Sequence, residues 1–285
     1  VNVGPDGSDL QALADALRKT MTRAPGASGA DLDAALAGLG WLDMLTELPD
    51  IAVPLVCQLL GETGAHAPVI NDVVLHAAGR ALGDTVPLPF AGGSWVVWER
   101  TDGPADALDS ELPIHRVGSG AEPTDPGISG IFDGDWVPLA AGRRALGWWL
   151  VGTGRAMLSL ARQHAVDRVQ FGRPIASFQA VRHRLAETLV AIEGAEATLR
   201  AANRGDRADF GSLLAKAAAG QAALTAARHC QQVLGGIGFT AEHDLHRHVR
   251  RALVLDGLLG SARELTREAG ELLVANGSAP RLVDL

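Results

Sequence analysis

The sequence predicts a mostly α-helical protein in which two helical regions flank a small β insert, and three observations carry that expectation. From Asp9 to about Leu82, apolar residues recur at helical spacing in short runs broken by Gly- and Pro-rich joints. Between Gly83 and Pro138 the texture changes to compact β-like runs set among Gly, Pro and Asp. From Leu139 onward the helical period returns, in runs long enough to travel the length of a bundle. The expected organisation is therefore a shortened N-terminal helical domain (residues 1–82), a reduced β domain (83–138) and a C-terminal four-helix bundle (139–285), with no internal repeat.

In the first zone "LQALADAL", "DLDAALAGLGWLDML" and "VPLVCQLLGETGAHAPVINDVVLHAAGRAL" read as helices, with Asp31 placed to cap the second. In the middle zone "GSWVVWER", "LPIHRV" and "GISGIF" read as strands, enough for a handful but not for a large sheet. The third zone reads as three long helices and a last helical run from Leu245 to Ala275, interrupted near Gly257–Gly260. The breaks "QFGRPIAS" and "NRGDRA" are short, which favours antiparallel neighbours. Trp148 and Trp149 read as core.

Composition narrows the function classes. Cys57 and Cys230 lie far apart without metal-ligand spacing and read as reduced core residues of a cytoplasmic protein. No apolar run reaches the roughly eighteen residues of a membrane span, and no secretory leader is recognisable. Residues 1–138 carry 6 basic and 20 acidic side chains, whereas residues 139–285 carry 19 and 13. The second half can attract a phosphate-bearing ligand or an acidic partner, but it lacks the aromatic-interleaved basic surface of a nucleic-acid binder. No nucleophile elbow is present, so hydrolase chemistry has no support.

Three stretches carry chemistry. In "DRVQFGRPIASFQ", Arg168, Gln170, Phe171, Phe178 and Gln179 surround a Gly-Arg-Pro turn. Arg168 can satisfy helix-terminal carbonyls or pair with a phosphate, and Phe171 and Phe178 read as apolar plugs between helices. In "CQQVLGGIGF", Gln232 precedes Gly235, Gly236 and Gly238. One glycine would end the helix, whereas three also expose bare backbone. "EHDLHRHVRR" gathers His243, His246 and His248 with Arg247, Arg250 and Arg251 and reads as a solvated or phosphate-facing helix start, since His243 and His246 lie one turn apart but no Glu or Cys completes a closed metal site.

Taken together, R-x-Q-F-G, F-Q shortly after, and Q-x-x-G-G-x-G-F further on resemble the C-terminal bundle of acyl-CoA dehydrogenases. The resemblance is closest over residues 139–275, extends to 9–82 through "GLGWLDML" and "LLGETGAHAPV", and is weakest between. The wording "GGIGFTAEHDLHRHVRR" is most similar to actinobacterial members, including those acting on steroid-derived acyl-CoA thioesters. The resemblance implies FAD as cofactor. It places Arg168 at the FAD pyrophosphate, Gln170, Phe171, Phe178 and Gln179 along the cofactor, and Gln232 with the Gly235 and Gly236 backbone at its adenosine end.

The reaction so implied needs a carboxylate to take the α proton of an acyl-CoA while the flavin takes a hydride. In family register the acid position near the chain's end is Leu259, followed by Gly260 and Ser261, and the second family position falls at about Gly142 beside Arg143. Neither carries an acid, and the nearest carboxylate is Asp256. The resemblance therefore implies a base-lacking subunit that completes the FAD site of a homologous catalytic partner, as in heterotetrameric members. Two alternatives stand beside it. One is a self-sufficient homo-oligomer using Asp256 or another acid, and the other is a structural partner subunit that binds no flavin.

Overall fold

A computed structural model describes residues 7–23, 29–101, 107–109, 111–117, 138–202 and 208–278. The N-terminal region holds α1 (Gly7–Thr22), α2 (Ala30–Gly38), α3 (Trp41–Glu47), α4 (Pro49–Thr63) and α5 (Val69–Ala77). Punctuation in the chain sets these ends. Pro49 opens α4, where its missing N–H removes nothing from the helix, and Gly64 closes it at φ +70°. The residue preceding α2 is Gly29, with Asp31 inside the first turn, so Asp31 is not the cap the sequence suggested.

The β insert contributes β1 (Pro87–Phe90), β2 (Ser94–Trp98) and β3 (Ile114–Arg116), an antiparallel sheet in the order β1-β2-β3. β2 and β3 correspond to "GSWVVWER" and "LPIHRV", whereas β1 went unread because two prolines mask its β character. The run "GISGIF" lies outside the described residues. Two buried polar residues of α5 hold the sheet: Asn71 donates to the Trp98 carbonyl at 2.9 Å, and Asp72 accepts from Trp41 Nε1 at 3.1 Å and from Arg100. The same Arg100 guanidinium reaches Asp33 of α2 at 2.8 Å. The buried Asp72 carboxylate is thus compensated by a half-buried cation, which burial without partners would forbid.

The C-terminal region is built from α6 (Leu139–Asp167), α7 (Gln179–Ala201), α8 (Ala208–Leu234), α9 (Leu245–Gly257) and α10 (Ala262–Asn276). Between α6 and α7 the break forms a minimal hairpin, β4 (Val169–Gln170) with β5 (Arg173–Pro174), followed by a 3-10 turn. α10 starts with a capping box in which Ser261 accepts from the Glu264 N–H and the Glu264 carboxylate accepts from the Ser261 N–H. Small residues let helices meet backbone to backbone. A Cβ on Gly152 of α6 would lie 2.1 Å from the Gln58 carbonyl oxygen of α4, and one on Gly61 of α4 would lie 2.3 Å from the Trp149 carbonyl oxygen.

Trp98 of β2 lies against Trp149 of α6 with ring centroids 5.4 Å apart, which docks the sheet on the bundle. One buried cluster runs from α1 through α10's approach at Leu258 and Leu259, so the N-terminal helices, the sheet and the bundle share a core. Cys57 and Cys230 are free and buried within it, and burial pushes both thiols up, Cys230 to about 12. Among the described residues no helix is long and apolar enough to cross a membrane.

Candidate functional site

The residues singled out in the sequence fall into an exposed corner and a buried turn. At the corner, Arg168 ends α6, its N–H donating to the His164 carbonyl at 2.9 Å and its carbonyl accepting from Ile175 at 2.8 Å. The chain turns through Phe171 at φ +52° and Gly172 at φ +77°. Phe171 is 92% exposed, so it is not the interhelical plug the sequence suggested. The hairpin carries it outward, where its ring stands in a T-shaped arrangement with that of Phe178, centroids 6.1 Å apart. Phe178 is half-buried and carries the Arg173 guanidinium 4.4 Å above its ring. Arg168, Gln170 and Gln179 are exposed.

The second motif ends α8. Gly235 takes φ +65°, as expected of a helix-terminating glycine, and a 3-10 turn (Gly235–Phe239) follows. Gly235 and Gly236 have open space where a side chain would stand, whereas Gly238 is buried against the Gln231 backbone. Gln232 is exposed, Ile237 is 39% exposed and Phe239 68%. With Val166 and Val169, these leave large apolar side chains in solvent at both motifs. Burial first, then His243 and Arg168, pushes the His164 pKa down.

α9 differs from its sequence reading. His248 and Arg251 are buried, while Arg247 and Arg250 grip the chain after β2 with their side chains still 41% exposed. Arg247 donates to Glu111 at 3.0 Å, Arg250 to Asp109 at 2.9 Å, and Arg251 to the Gly64 and Ala65 carbonyls at 3.3 and 3.2 Å. His66 and His248 are enclosed beside them. Burial first, then Arg251 and Arg247, pushes His66 down to about 3 and His248 to about 4. The unfolded chain protonates both histidines below about pH 6.5, while the fold keeps them neutral, so the unfolded state binds more protons as pH falls. Urea midpoints should therefore drop progressively from about pH 6.5 towards 4, and His248→Gln should flatten part of that fall. Parallel profiles for the variant and the parent would remove His248 from the account.

The buried turn lies between α9 and α10. Leu259 is 1% exposed and adopts φ +58°, a strained conformation for a residue with a Cβ. Its neighbours hold it there. The Leu259 N–H donates to the Pro89 carbonyl of β1 at 2.8 Å, and Arg143 Nε donates to the Leu259 carbonyl at 3.2 Å. Lys216 of α8, fully buried, donates through Nζ to the carbonyls of Asp256 at 2.7 Å and Gly260 at 2.9 Å. Burial draws its ammonium down to about 8, with Asp256 opposing. The sequence did not single out Lys216, although it is one of only two lysines beside 23 arginines.

Leu259 and Gly142, far apart in the chain, face each other here. A Cβ on Gly142 would lie 2.5 Å from Leu259 Cδ1 and 3.2 Å from Val74 Cγ2. The two positions that resemblance marks for an acid are thus one location, filled by a leucine side chain. Nearby carboxylates have other engagements. Asp256 Oδ1 accepts from the Ala262 N–H at 3.0 Å, Glu268 pairs with Arg143 at 3.4 Å, and Glu264 accepts from Gly92 at 2.8 Å besides capping α10.

Residues 136–269 match the acyl-CoA dehydrogenase, C-terminal domain family. The chain belongs to the acyl-CoA dehydrogenase family. Acyl-CoA dehydrogenase FadE34 of Mycobacterium tuberculosis is 35% identical over 227 residues, covering 75% of this chain and 31% of that protein. Acyl-CoA dehydrogenase IpdE2 of the same organism is 34% identical over 208 residues, covering 71% and 62%. The chain thus spans less than two thirds of the length of the curated relatives it matches. Its fold is shared with the ChsE4–ChsE5 complex from Mycobacterium tuberculosis at a TM-score of 0.65 and 20% identity, over 99% of this chain and 100% of that one. Members of this family use FAD. The mostly helical architecture with small sheets and a C-terminal helical domain is the family's fold.

Proposed function

We propose that this acyl-CoA dehydrogenase family chain is a base-lacking subunit that completes the FAD site of a homologous catalytic partner in a heterotetramer, acting on a bulky, steroid-type acyl-CoA. The observation that carries this reading is Leu259 closed against Gly142, so that among the described residues a leucine side chain and no carboxylate fills the location where an acid would meet an α proton. A carboxylate introduced there would be desolvated beside Val74 and Leu259, whereas the acids around the turn serve α10 and Arg143.

The exposed corner suits the cofactor's chemistry. Arg168 offers a planar cation to a diphosphate, and Gln170, Gln179 and Gln232 offer amides to polar ring edges and hydroxyls. Gly235 and Gly236 leave backbone open to close approach, and Phe171 presents an exposed apolar ring beside the half-buried Phe178. When bound, FAD supplies the hydride acceptor. This chain's residues hold and orient it, and a second chain covering Phe171 would exclude water from that face. The ChsE4–ChsE5 structure is of a complex between differently named chains, which agrees with a heteromeric partner.

The test is the visible spectrum of the chain purified alone and together with a base-bearing acyl-CoA dehydrogenase subunit from the same genome. The chain alone should be colourless and the complex yellow and active. Arg168→Ala should weaken flavin binding by the complex by about tenfold or more, the worth of a charge-assisted hydrogen bond, and lower its flavin content. A chain that by itself binds flavin and oxidises acyl-CoA would overturn the reading, and flavin content unchanged by Arg168→Ala would remove the cofactor contact from it.

A further inference from the structure

A cavity of about 480 Å³ opens between α3–α5 and the bundle, away from both the exposed corner and the Leu259 turn. On α6 it is lined by Ala141, Arg144 and Trp148, three and four residues apart and therefore on one helix face. Gly142, which meets Leu259 and Val74, points about 100° away from Ala141 around the same helix. On α5 the same division holds, with Val73 and Ala77 lining the cavity and Val74 turned to Gly142. This cavity is thus not an extension of the turn at Leu259.

Its walls are mainly apolar, from Leu45, Val53, Pro54, Val73, Trp148 and Leu199. Arg144 stands among them, half-buried, with one hydrogen bond to a neutral group, Ser212 Oγ at 3.1 Å, and no ion pair among the described residues. Arg200 lines the cavity from α7 but is neutralised by Glu196, while Asp50 and His76 complete the polar lining. Burial lowers Arg144's affinity for its proton more than Asp50 and Asp209 raise it. A cation drawn partly out of water without a carboxylate at contact distance is stabilised by any anion brought to it. Volume and lining match those of small-molecule sites, which are concave, mostly apolar and fixed by a few polar groups.

We infer that this cavity is a binding site for an amphipathic carboxylate, its apolar body lying on Trp148 between α4 and α5 and its anion on Arg144. The occupant is a free acid or other apolar monoanion, and the site is separate from the location proposed for acyl-CoA chemistry. Binding here requires neither flavin nor a partner.

Isothermal titration of the purified chain with decanoate and with 1-decanol tests the assignment. Decanoate should bind with one-to-one stoichiometry and about tenfold or more tighter than the alcohol, the usual worth of a charge-assisted bond. Arg144→Met should erase that preference, and Val53→Trp, which fills the cavity, should abolish binding of both probes. Circular dichroism checks that each variant is folded; if Val53→Trp is not, Ala141→Leu takes its place at the rim. Equal affinity for acid and alcohol in the parent chain would overturn the inference. So would decanoate affinity that survives both Arg144→Met and the filled cavity, because binding would then lie elsewhere.

Discussion

Lys216→Met is expected to lower stability at neutral pH by about 3–5 kcal/mol, the usual cost of removing one member of a buried polar cluster. Nζ is the shared donor to the Asp256 and Gly260 carbonyls, and no other donor is described at either oxygen. Methionine fills similar volume but leaves the two carbonyl acceptors, Asp256 and Gly260, without the ammonium that now bonds them. It also frees the turn to abandon φ +58° at Leu259, which relaxation would return only about 1–2 kcal/mol.

The pH dependence separates this account from simple loss of packing. Lys216 titrates at its ordinary 10.5 in the unfolded chain and at about 8 in the fold. Between those values the unfolded chain holds more protons, so Lys216 makes stability rise with pH across that window. The difference in denaturation midpoint between parent and Lys216→Met should therefore widen from about pH 8 to 10. A variant as stable as the parent, or a difference flat across that range, would contradict the clamp.

Gly152→Ala is the second large effect. The added methyl would meet the Gln58 carbonyl oxygen at 2.1 Å, and the opposing atom is backbone, so no rotamer change relieves it. α4 and α6 must separate, which opens space around Trp149 and Val56 at the centre of the core. Overpacking against backbone costs about 3 kcal/mol or more, so the thermal midpoint should fall by about 6–10 °C. Gly194→Ala is the control, since nothing lies within 4 Å of the added carbon there and alanine favours the helix. Equal midpoints for the two variants would mean that the helices are not in backbone contact.

Some of this was readable from the chain alone. Helical periodicity, the left-handed glycine ending α8 and the turn after Arg168 are all written in short consecutive stretches. Local backbone preferences operate over that range, so the order of helices, sheet and bundle followed from them. The errors arose where neighbours distant in sequence decide. Phe171 looked like a plug because aromatic residues usually are, but its hairpin projects beyond the helices it joins. Arg247, Arg250 and Arg251 looked solvated because their partners, Asp109, Glu111, Gly64 and Ala65, come from elsewhere in the chain.

What the sequence by itself determined is the fold's identity and the absence of an acid at two positions. Only the tertiary structure decided that Leu259 and Gly142 are one location, that Lys216 and Arg143 hold the turn there, and that Arg144 stands at a mainly apolar cavity with no ion pair among the described residues. The physical reason is the range of the interactions. Helix periods and turns depend on bonded neighbours, whereas desolvation, close packing and the pairing of buried charge depend on which surfaces folding brings together.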